Sequence, residues 1–340
     1  MSKVTAMSMP TRLLTHLRDL GPRTGEFAVA PIDRAQVDAA LAVLADHYGG
    51  EVDPAKLVPP ERDGPLRGDL ALRAPYLSDL AGELRDRLEG NYSAVVIPRL
   101  GLDGLPLPTR SALMFALSAS LGLPTATDQV DRRVVWDVKV REEKVKNNSV
   151  STFSEHPFEA DLHTDTQYFA RPERYMMLYF IVPASCGGGI STSRDLGCLR
   201  DALSASDDGR WAMQYLTGRD LPFRIPAVFT QTGKADKVEV TFAPIFGTRP
   251  AVRFRTDTLR KGLDLYPDYD TVELRRALSI LNAEVARQEK LVSIHMPADG
   301  LQVLNNHEAL HGRSPFADYR RHVLRIRVAE TGVPGLDMAA

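Results

Sequence analysis

The chain has 340 residues, of which 44% are hydrophobic and 25% are charged, a composition typical of a globular protein. Forty-two Lys and Arg residues oppose 44 Asp and Glu residues, so the formal net charge is −2. This balance removes the main electrostatic reason to expect a nucleic-acid or anionic-membrane partner. Two cysteines are too few for a disulfide framework.

The sequence shows neither a secretion signal nor a membrane-spanning segment. The first 20 residues carry charges such as Lys3 and Arg18 and lack the apolar block of a signal peptide. The two longest uncharged stretches, 111–127 and 175–193, are interrupted by glycine and proline, so neither is expected to cross a bilayer. We therefore expect a cytoplasmic protein with no membrane partner.

In chain order, the first third of the sequence alternates between predicted helices and strands. Asp33 is placed to cap a helix whose apolar face includes Val37 and Leu44 and which ends at Gly49. The stretch 52–75 is rich in proline, glycine and charge, which predicts a loop or linker. The next predicted elements are a helix over 77–88, a strand over 93–97 and a helix over 109–121.

From residue 133 onwards the pattern changes to short strands. Apolar and polar residues alternate between Val134 and Val140, which is the period of a half-buried strand. One long helix is predicted over 272–288, where Asp270 and Glu273 form a capping box. Further strands are predicted over 176–182, 238–242, 251–255, 291–294, 301–304 and 322–328.

Many short strands without strict strand–helix–strand alternation argue against a doubly wound parallel sheet. They favour a mainly β protein with flanking helices (α+β), built as an antiparallel sandwich or barrel. The sequence contains no GxGxxG after a strand, no GxxxxGK[ST], no GxSxG and no HExxH. Dinucleotide-binding, P-loop, serine-hydrolase and zincin functions are therefore not predicted.

Candidate metal ligands occur in two distant segments. His163 and Asp165 lie two residues apart, so on an extended segment their side chains point to one side. His311 follows in the segment 305–316, NNHEALHGRSPF. Two imidazoles and one carboxylate can occupy one face of an octahedral Fe(II) and leave three positions open. Three other histidines are rival ligands: His295, His307 and His322.

Two further features fit the open positions of such a metal. A bidentate oxo acid and O2 could occupy these positions, and the far carboxylate of the acid would need a cation and a hydroxyl. Arg321 and Arg325 lie four residues apart and would share one face on an extended strand, and arginine is a two-pronged carboxylate donor. Ser191 and Thr192 follow a glycine-rich turn and supply the hydroxyls.

The order HTD, GGxS/T, HGRSPF and RxxxR resembles the Fe(II)/2-oxoglutarate dioxygenases of the taurine dioxygenase and clavaminate synthase-like superfamily, over roughly 93–328. The resemblance implies a double-stranded β-helix (jelly-roll, cupin-like) core. It also implies roles for individual residues. These are His163, Asp165 and His311 as iron ligands, Arg321 with Ser191 or Thr192 on 2-oxoglutarate, and Arg325 on an acidic group of the substrate.

The resemblance implies Fe(II), 2-oxoglutarate and O2 as requirements, with succinate and CO2 as co-products. The expected reaction is hydroxylation of an unactivated C–H bond in a free amino acid or amino-acid-derived small molecule, although desaturation or cyclisation would use the same ligands. We expect a jelly-roll catalytic domain over 93–335, on which residues 1–92 pack as an N-terminal elaboration. The segment 144–156 is a candidate lid over the site.

Two alternative functions and one question about an acidic loop remain open at this stage. The same triad could hold Zn(II) in a hydrolase or lyase, or the chain could be a non-catalytic jelly-roll binding protein. The acidic loop with Asp264, Asp268 and Asp270 could face a substrate amine or guanidinium, or it could be a solvated turn.

Overall fold

The computed structural model describes residues 12–128, 130–147, 152–230, 238–247 and 252–331. Within these ranges the strands are β1 (Leu14–Gly21), β2 (Thr24–Val29), β3 (Ala94–Ile97), β4 (Leu123–Pro124), β5 (Trp136–Val138), β6 (Ala160–His163), β7 (Tyr175–Val182), β8 (Ser191–Asp195), β9 (Leu221–Arg224), β10 (Val240–Ala243), β11 (Val292–Ile294), β12 (Leu301–Asn305), β13 (Ala309–Arg313) and β14 (His322–Ala329). The helices are α1 (Arg34–Tyr48), α2 (Pro65–Arg73), α3 (Pro75–Glu89), α4 (Leu107–Leu121), α5 (Glu142–Lys146), α6 (Leu196–Ser204), α7 (Asp207–Thr217), α8 (Thr256–Leu265) and α9 (Val272–Val285). None of these helices is both long and apolar enough to cross a membrane.

The large sheet has eight strands, in the order β1-β2-β3-β12-β7-β14-β4, with β5 also paired to β14. Because side chains alternate along a strand, its two faces have different partners. Tyr175, Met177 and Tyr179 of β7 join the core formed with α1 to α4, as does Ile326 of β14. The odd-numbered residues of β14 therefore point to the opposite, inner face.

A four-stranded sheet, in the order β11-β8-β13-β6, lies against this inner face. Ala309 of β13 packs with Met176 and Leu304 of the large sheet, so the two inner faces are in contact. The outer side of the small sheet is covered by α6, α7 and α9, whose apolar core includes Leu310. The candidate site residues lie between the two sheets.

The predicted α+β class is confirmed, as are most of the individual elements. Asp33 caps α1 by accepting from the backbone N of Gln36 at 2.8 Å, and Gly49 ends that helix at a φ of 83°. The helices predicted over 77–88 and 109–121 are α3 and α4, and the strands predicted over 93–97, 176–182, 301–304 and 322–328 are β3, β7, β12 and β14.

Three local predictions were wrong. The predicted loop over 52–75 contains the 3-10 turn Pro54–Lys56 and α2, where Pro65 starts the helix and Leu66 and Leu70 are buried. Helix α9 is capped by Thr271, because Asp270 pairs with Arg275 instead. No strand forms at 252–255, and Val252 makes a single bridge to Phe246. Residue 251 lies outside the described ranges.

Candidate active site

His163, Asp165 and His311 converge at the end of β6. In the register of β6 and β13, His311 is directly opposite His163, and the two ring centroids are 4.2 Å apart. His163 Nε2 lies 3.5 Å from Asp165 Oδ1. One ligand atom of each residue lies within 4.8 Å of the other two, and no other group of three or more His, Cys, Asp or Glu within the described ranges does so.

Both imidazoles are prepared for ligation. His163 Nδ1 lies 2.8 Å from the carbonyl oxygen of Asp161, and a proton donated there leaves the lone pair on Nε2, which faces Asp165. Burial lowers the pKa of His311 to about 3. His311 is therefore neutral at neutral pH and keeps a free lone pair.

The Asp165 carboxylate is held ionised in a buried position. Burial alone would raise its pKa, but the nearby guanidinium of Arg325 holds the pKa of Asp165 well below its usual value. Arg325 Nη1 lies 3.6 Å from Asp165 Oδ2, and this oxygen accepts no hydrogen bond from any described residue. A buried carboxylate oxygen that accepts no hydrogen bond is open to a bound cation, because buried polar atoms are normally satisfied.

Asn306 fixes the backbone of Asp165. Its Oδ1 accepts from the backbone N of Asp165 at 2.8 Å, and its Nδ2 donates to the carbonyl oxygens of Asp165 and Glu173 at 3.1 and 2.9 Å. Thr166 follows with a φ of +52°, in the left-handed region, which turns the chain away directly after Asp165. The loop therefore presents Asp165 in one orientation.

We predict that Asn306→Ala weakens metal binding roughly 10- to 100-fold, since loss of an outer hydrogen-bonding partner typically has that effect. The free energy of unfolding should fall by about 1–3 kcal/mol, because the backbone groups of Asp165 and Glu173 lose buried hydrogen-bond partners. Asn305→Ala is the matched control, since its buried amide donates to the carbonyl of Leu88 instead. Asn305→Ala should lower the free energy of unfolding and leave the metal affinity unchanged. Equal metal affinity in both variants, measured by titration, would contradict the role of Asn306.

The register of β8 separates the two candidate hydroxyls. Ser193 lies opposite His311, and Ser191 lies two residues away on the same face, opposite Arg313. Thr192 pairs with Gly312 and faces the other way, since a Cβ on that glycine would come within 2.9 Å of Thr192 Oγ1. Ser191 therefore faces the inner side with the histidines, and Thr192 does not. Sequence reasoning missed Ser193, although the two-residue period of a strand places it on the same face as Ser191.

We predict that Ser191→Ala raises the KM for 2-oxoglutarate about 2- to 10-fold, the effect of losing one ordinary hydrogen bond. Thr192→Ala is the matched control and should leave this KM unchanged, because its hydroxyl lies on the opposite face. Steady-state kinetics with varied 2-oxoglutarate measure both variants. A larger effect from Thr192→Ala would show that the other hydroxyl contacts the cosubstrate.

Arg321 is a buried cation with an open hydrogen-bonding position. Its residue is 4% exposed and its Cζ lies 5.5 Å from the ring centroid of Phe180 and 5.2 Å from that of Phe316. Its Nε has no hydrogen-bond partner among the described residues. Burial, with the neighbouring charge of Arg313, lowers the pKa of Arg321 to about 9. Such a guanidinium fits a buried carboxylate.

This geometry can be compared with known proteins. The family model of the taurine catabolism dioxygenases, the TauD, TfdA family, matches residues 58–327. The chain belongs to this family. It is therefore an Fe(II)- and 2-oxoglutarate-dependent dioxygenase, as the resemblance implied. No curated protein matches the chain.

Solved structures of iron oxygenases share the fold of this TauD-family member. An asparagine oxygenase in complex with Fe(II), 2S,3S-3-hydroxyasparagine and succinate is 17% identical, with a TM-score of 0.63 over 90% of this chain and 93% of its own. The non-heme iron oxygenase OrfP in complex with Fe and alpha-ketoglutaric acid is 18% identical, with a TM-score of 0.60 over 90% and 94%. OrfP with Fe, succinate and (3S)-hydroxy-L-Arg is 18% identical, with a TM-score of 0.61 over 89% and 94%.

Two further arginines of this dioxygenase lie near the site and were missed from the sequence. Arg327 is 2% exposed and points inward on β14, where Glu173 and Asp165 raise its pKa despite burial. Glu173 in turn accepts hydrogen bonds from the hydroxyls of Thr125 and Thr166. The signal for Arg327 in the sequence was its position two residues after Arg325, which places both side chains on the same face of β14.

Arg313 holds a segment of the chain against His163. Its guanidinium donates to the carbonyl oxygens of Phe153, His156 and Phe158 at 3.3, 3.0 and 2.6 Å. The Phe153 ring packs edge-on against His163, with centroids 5.2 Å apart. This segment overlaps the predicted lid at 144–156, of which residues 148–151 lie outside the described ranges.

The rival histidines are occupied elsewhere or lie apart from the cluster. His307 Nε2 lies 3.0 Å from the carbonyl of Pro172, and His322 Nε2 lies 2.6 Å from Asp137 Oδ1. His295 is exposed and does not belong to the cluster of ligand atoms. In the acidic loop, Asp270 pairs with Arg275 at 2.9 Å.

Proposed function

We propose that this dioxygenase hydroxylates an unactivated C–H bond of a free amino acid or amino-acid-derived small molecule, with succinate and CO2 as co-products. The observation that carries the proposal is the convergence of His163, Asp165 and His311. The buried guanidinium of Arg321, whose Nε has no acceptor among the described residues, supports it. The amino-acid products bound to the asparagine oxygenase and to OrfP support this substrate class.

In this proposal His163, Asp165 and His311 hold Fe(II). When bound, Fe(II) with 2-oxoglutarate and O2 supplies the oxidising power that breaks the C–H bond. Arg321 binds the 5-carboxylate of 2-oxoglutarate, and Ser191 donates its hydroxyl to the same group. The charges support this arrangement, since Fe(II), one carboxylate and a doubly negative oxo acid leave one negative charge that Arg321 neutralises.

Arg325 is the proposed partner of the substrate carboxylate. Its Nη1 lies 3.6 Å from Asp165 Oδ2, so a group bound by Arg325 lies beside the metal ligands. Its Nε is buried and has no acceptor among the described residues. Positioning the substrate next to the oxidising centre is the main contribution that such a residue makes to the rate.

We also propose that the two contacting sheets form a double-stranded β-helix, or jelly-roll, with the iron site between them. The catalytic domain would span residues 93–335 and carry residues 1–92 as an elaboration. The hairpin of β1 and β2, which extends the large sheet beyond β3, is consistent with this division.

Anaerobic spectroscopy and product analysis test the proposed function. Fe(II) with 2-oxoglutarate should give a weak visible charge-transfer band, and admission of air in the presence of the right amino acid should give succinate and a product heavier by one oxygen. A mass-spectrometric screen of free amino acids identifies that product. No band and no succinate with any amino acid would contradict the proposal and leave a divalent-metal hydrolase or lyase, for which water activation needs no dicarboxylate clamp.

A further inference from the structure

A small cavity with a cationic lining lies next to the metal-binding residues. Its volume is about 160 Å³. Its charged lining residues are Arg224, Arg255, Asp257 and Lys261. Whole ligands typically occupy pockets of roughly 300–1,000 Å³, so this cavity has the size for one functional group rather than a complete substrate.

Hydrogen bonds connect the wall of this cavity directly to the metal-binding segment. Thr164, which lies between two of the proposed iron ligands, donates its backbone N–H to the carbonyl of Phe254 at 2.9 Å. The backbone N of Phe254 donates in return to Thr164 Oγ1 at 3.1 Å. Arg255 is the next residue, so its position relative to the site is fixed by these two bonds.

Arg255 also reaches the site through an aromatic contact. Its Cζ lies 4.5 Å from the ring centroid of Phe153, and that ring is the one packed against His163 at 5.2 Å. On the other side, Gln167 Nε2 donates to Thr258 Oγ1 at 2.6 Å, which ties the turn after the metal ligands to the first turn of α8. The cavity therefore adjoins the place where the substrate would react.

The lining of the cavity carries excess positive charge. Arg255, only 8% exposed, pairs with Asp257 through its Nε at 2.8 Å. Arg224 and Lys261 form no ion pair with any residue in the described part of the chain. Among the described residues the cavity is therefore lined by three cations and one carboxylate, and Asp257 is the counter-charge of both Arg255 and Lys261, which leaves a net positive lining.

The backbone of α8 also contributes to the positive electrostatic potential of the cavity. The cavity is lined by Arg255, Asp257 and Thr258, which are the N-terminal cap and first-turn residues of the ten-residue helix α8. The Arg255 side chain has no acceptor atom for the N–H groups of that turn. No side-chain hydrogen bond from this cap residue is formed in the described structure. The positive end of the helix therefore adds to the charge of the cationic side chains, and the first-turn carboxylate of Asp257 offsets part of it.

We propose that this cavity is a subsite for an anionic group at the far end of the substrate, so that the preferred amino acids carry an acidic side chain. The inference rests on the proposed function and narrows its substrate class. Arg325 would bind the main-chain carboxylate on one side of the metal site, and the cationic cavity would bind the side-chain anion on the other. A lysine- or arginine-like side chain would be repelled by the net positive charge of this lining.

Matched amino acids that differ in charge but not in shape test this subsite. We would measure the dissociation constants of L-glutamate and L-glutamine, L-aspartate and L-asparagine, and L-lysine from their perturbation of the charge-transfer band of the anaerobic Fe(II)/2-oxoglutarate enzyme. The acidic member of the better-binding pair should bind at least about 10-fold more tightly than its amide, which is the effect of a charge-assisted hydrogen bond. Hydroxylation in air should follow the same order.

The variants Arg224→Gln and Lys261→Gln should reduce the preference for the acid over its amide towards unity, and Arg224→Lys should restore part of it. These residues are not buried in the core, so their substitution is not expected to prevent folding. Arg260→Gln is the matched control, because this exposed cation on the same helix lines a different cavity. It should leave the preference for the acid unchanged.

The outcomes separate the two proposals. Binding and hydroxylation of amides or cationic amino acids in preference to acidic ones would overturn the anionic subsite while supporting the amino-acid hydroxylase. An acid preference that survives both glutamine substitutions would also overturn it. If no amino acid perturbs the band or yields a hydroxylated product, the proposed function fails and the subsite fails with it.

Discussion

Replacing Asp165 by alanine is expected to abolish Fe(II) binding and, with it, the formation of succinate. The variant removes the only carboxylate of the three converging residues and leaves Arg325 without its nearby counter-charge. Loss of a partner outside the ligand set already costs about 10- to 100-fold in metal affinity, so loss of the ligand itself should cost more than about 100-fold. Titration with Fe(II) under anaerobic conditions measures the effect, and His163→Ala should behave alike.

Asp161→Ala is the matched control for this prediction. Asp161 lies two residues before His163 on the same strand, and it contacts that imidazole only through its backbone carbonyl, which the substitution retains. The control should bind Fe(II) as the unmodified protein does. Wild-type affinity in the Asp165→Ala variant would show that the metal is held by other residues.

Replacing Arg321 by methionine is expected to raise the KM for 2-oxoglutarate about 10- to 150-fold, the equivalent of the roughly 1.5–3 kcal/mol of a hydrogen bond to a charged group. Methionine fills a similar space between the Phe180 and Phe316 rings but offers no donor. The KM for the amino-acid substrate should change little, because the carboxylate of that substrate is assigned to Arg325. Steady-state kinetics with each substrate varied in turn separate the two effects.

Arg320→Met provides the control for Arg321. Arg320 is the preceding residue, but it is exposed and pairs with Asp318 at 2.9 Å. Its substitution should leave the KM for 2-oxoglutarate unchanged. If Arg321→Met also retained the original KM, the carboxylate clamp would have to lie elsewhere, and buried Arg313 would be the next residue to substitute.

The parts of the site that could be predicted from sequence were those encoded by short spacings. His163 and Asp165 are two residues apart on an extended segment, so their side chains had to point to one side. The four-residue spacing predicts one shared face for Arg321 and Arg325. In the structure Arg325 lies on β14, whereas Arg321 directly precedes that strand, whose pairing with β7 is irregular between His322 and Val323. The pairing of His311 with His163 could not be derived in the same way, because register between strands 148 residues apart depends on the whole fold.

Strand register also explains what the sequence left open or concealed. Because side chains alternate along a strand, Ser191 and Thr192 had to lie on opposite faces. Only the pairing of Gly312 with Thr192 shows that Ser191 is the one on the inner face with the histidines. Arg313 and Arg327 were indistinguishable from surface arginines in the sequence, because burial of a cation depends on partners supplied by distant segments.

The local errors in the fold have similar causes. The composition of 52–75 suggests a loop, yet Leu66 and Leu70 find a buried surface, and this packing outweighs the weak propensity of the segment. At α9, two residues could cap the helix. The sequence favoured Asp270, but its ion pair with Arg275 leaves Thr271 to accept from the backbone N of Leu274 at 3.2 Å.

The most direct test of the account is anomalous diffraction at the iron edge from crystals soaked anaerobically with Fe(II). We predict a single strong peak within bonding distance of His163 Nε2, the Asp165 carboxylate and the His311 ring. A subsequent soak with 2-oxoglutarate should add density that joins this peak to the Arg321 guanidinium. An iron peak on His295, His307 or His322, or no peak between the two sheets, would contradict the account.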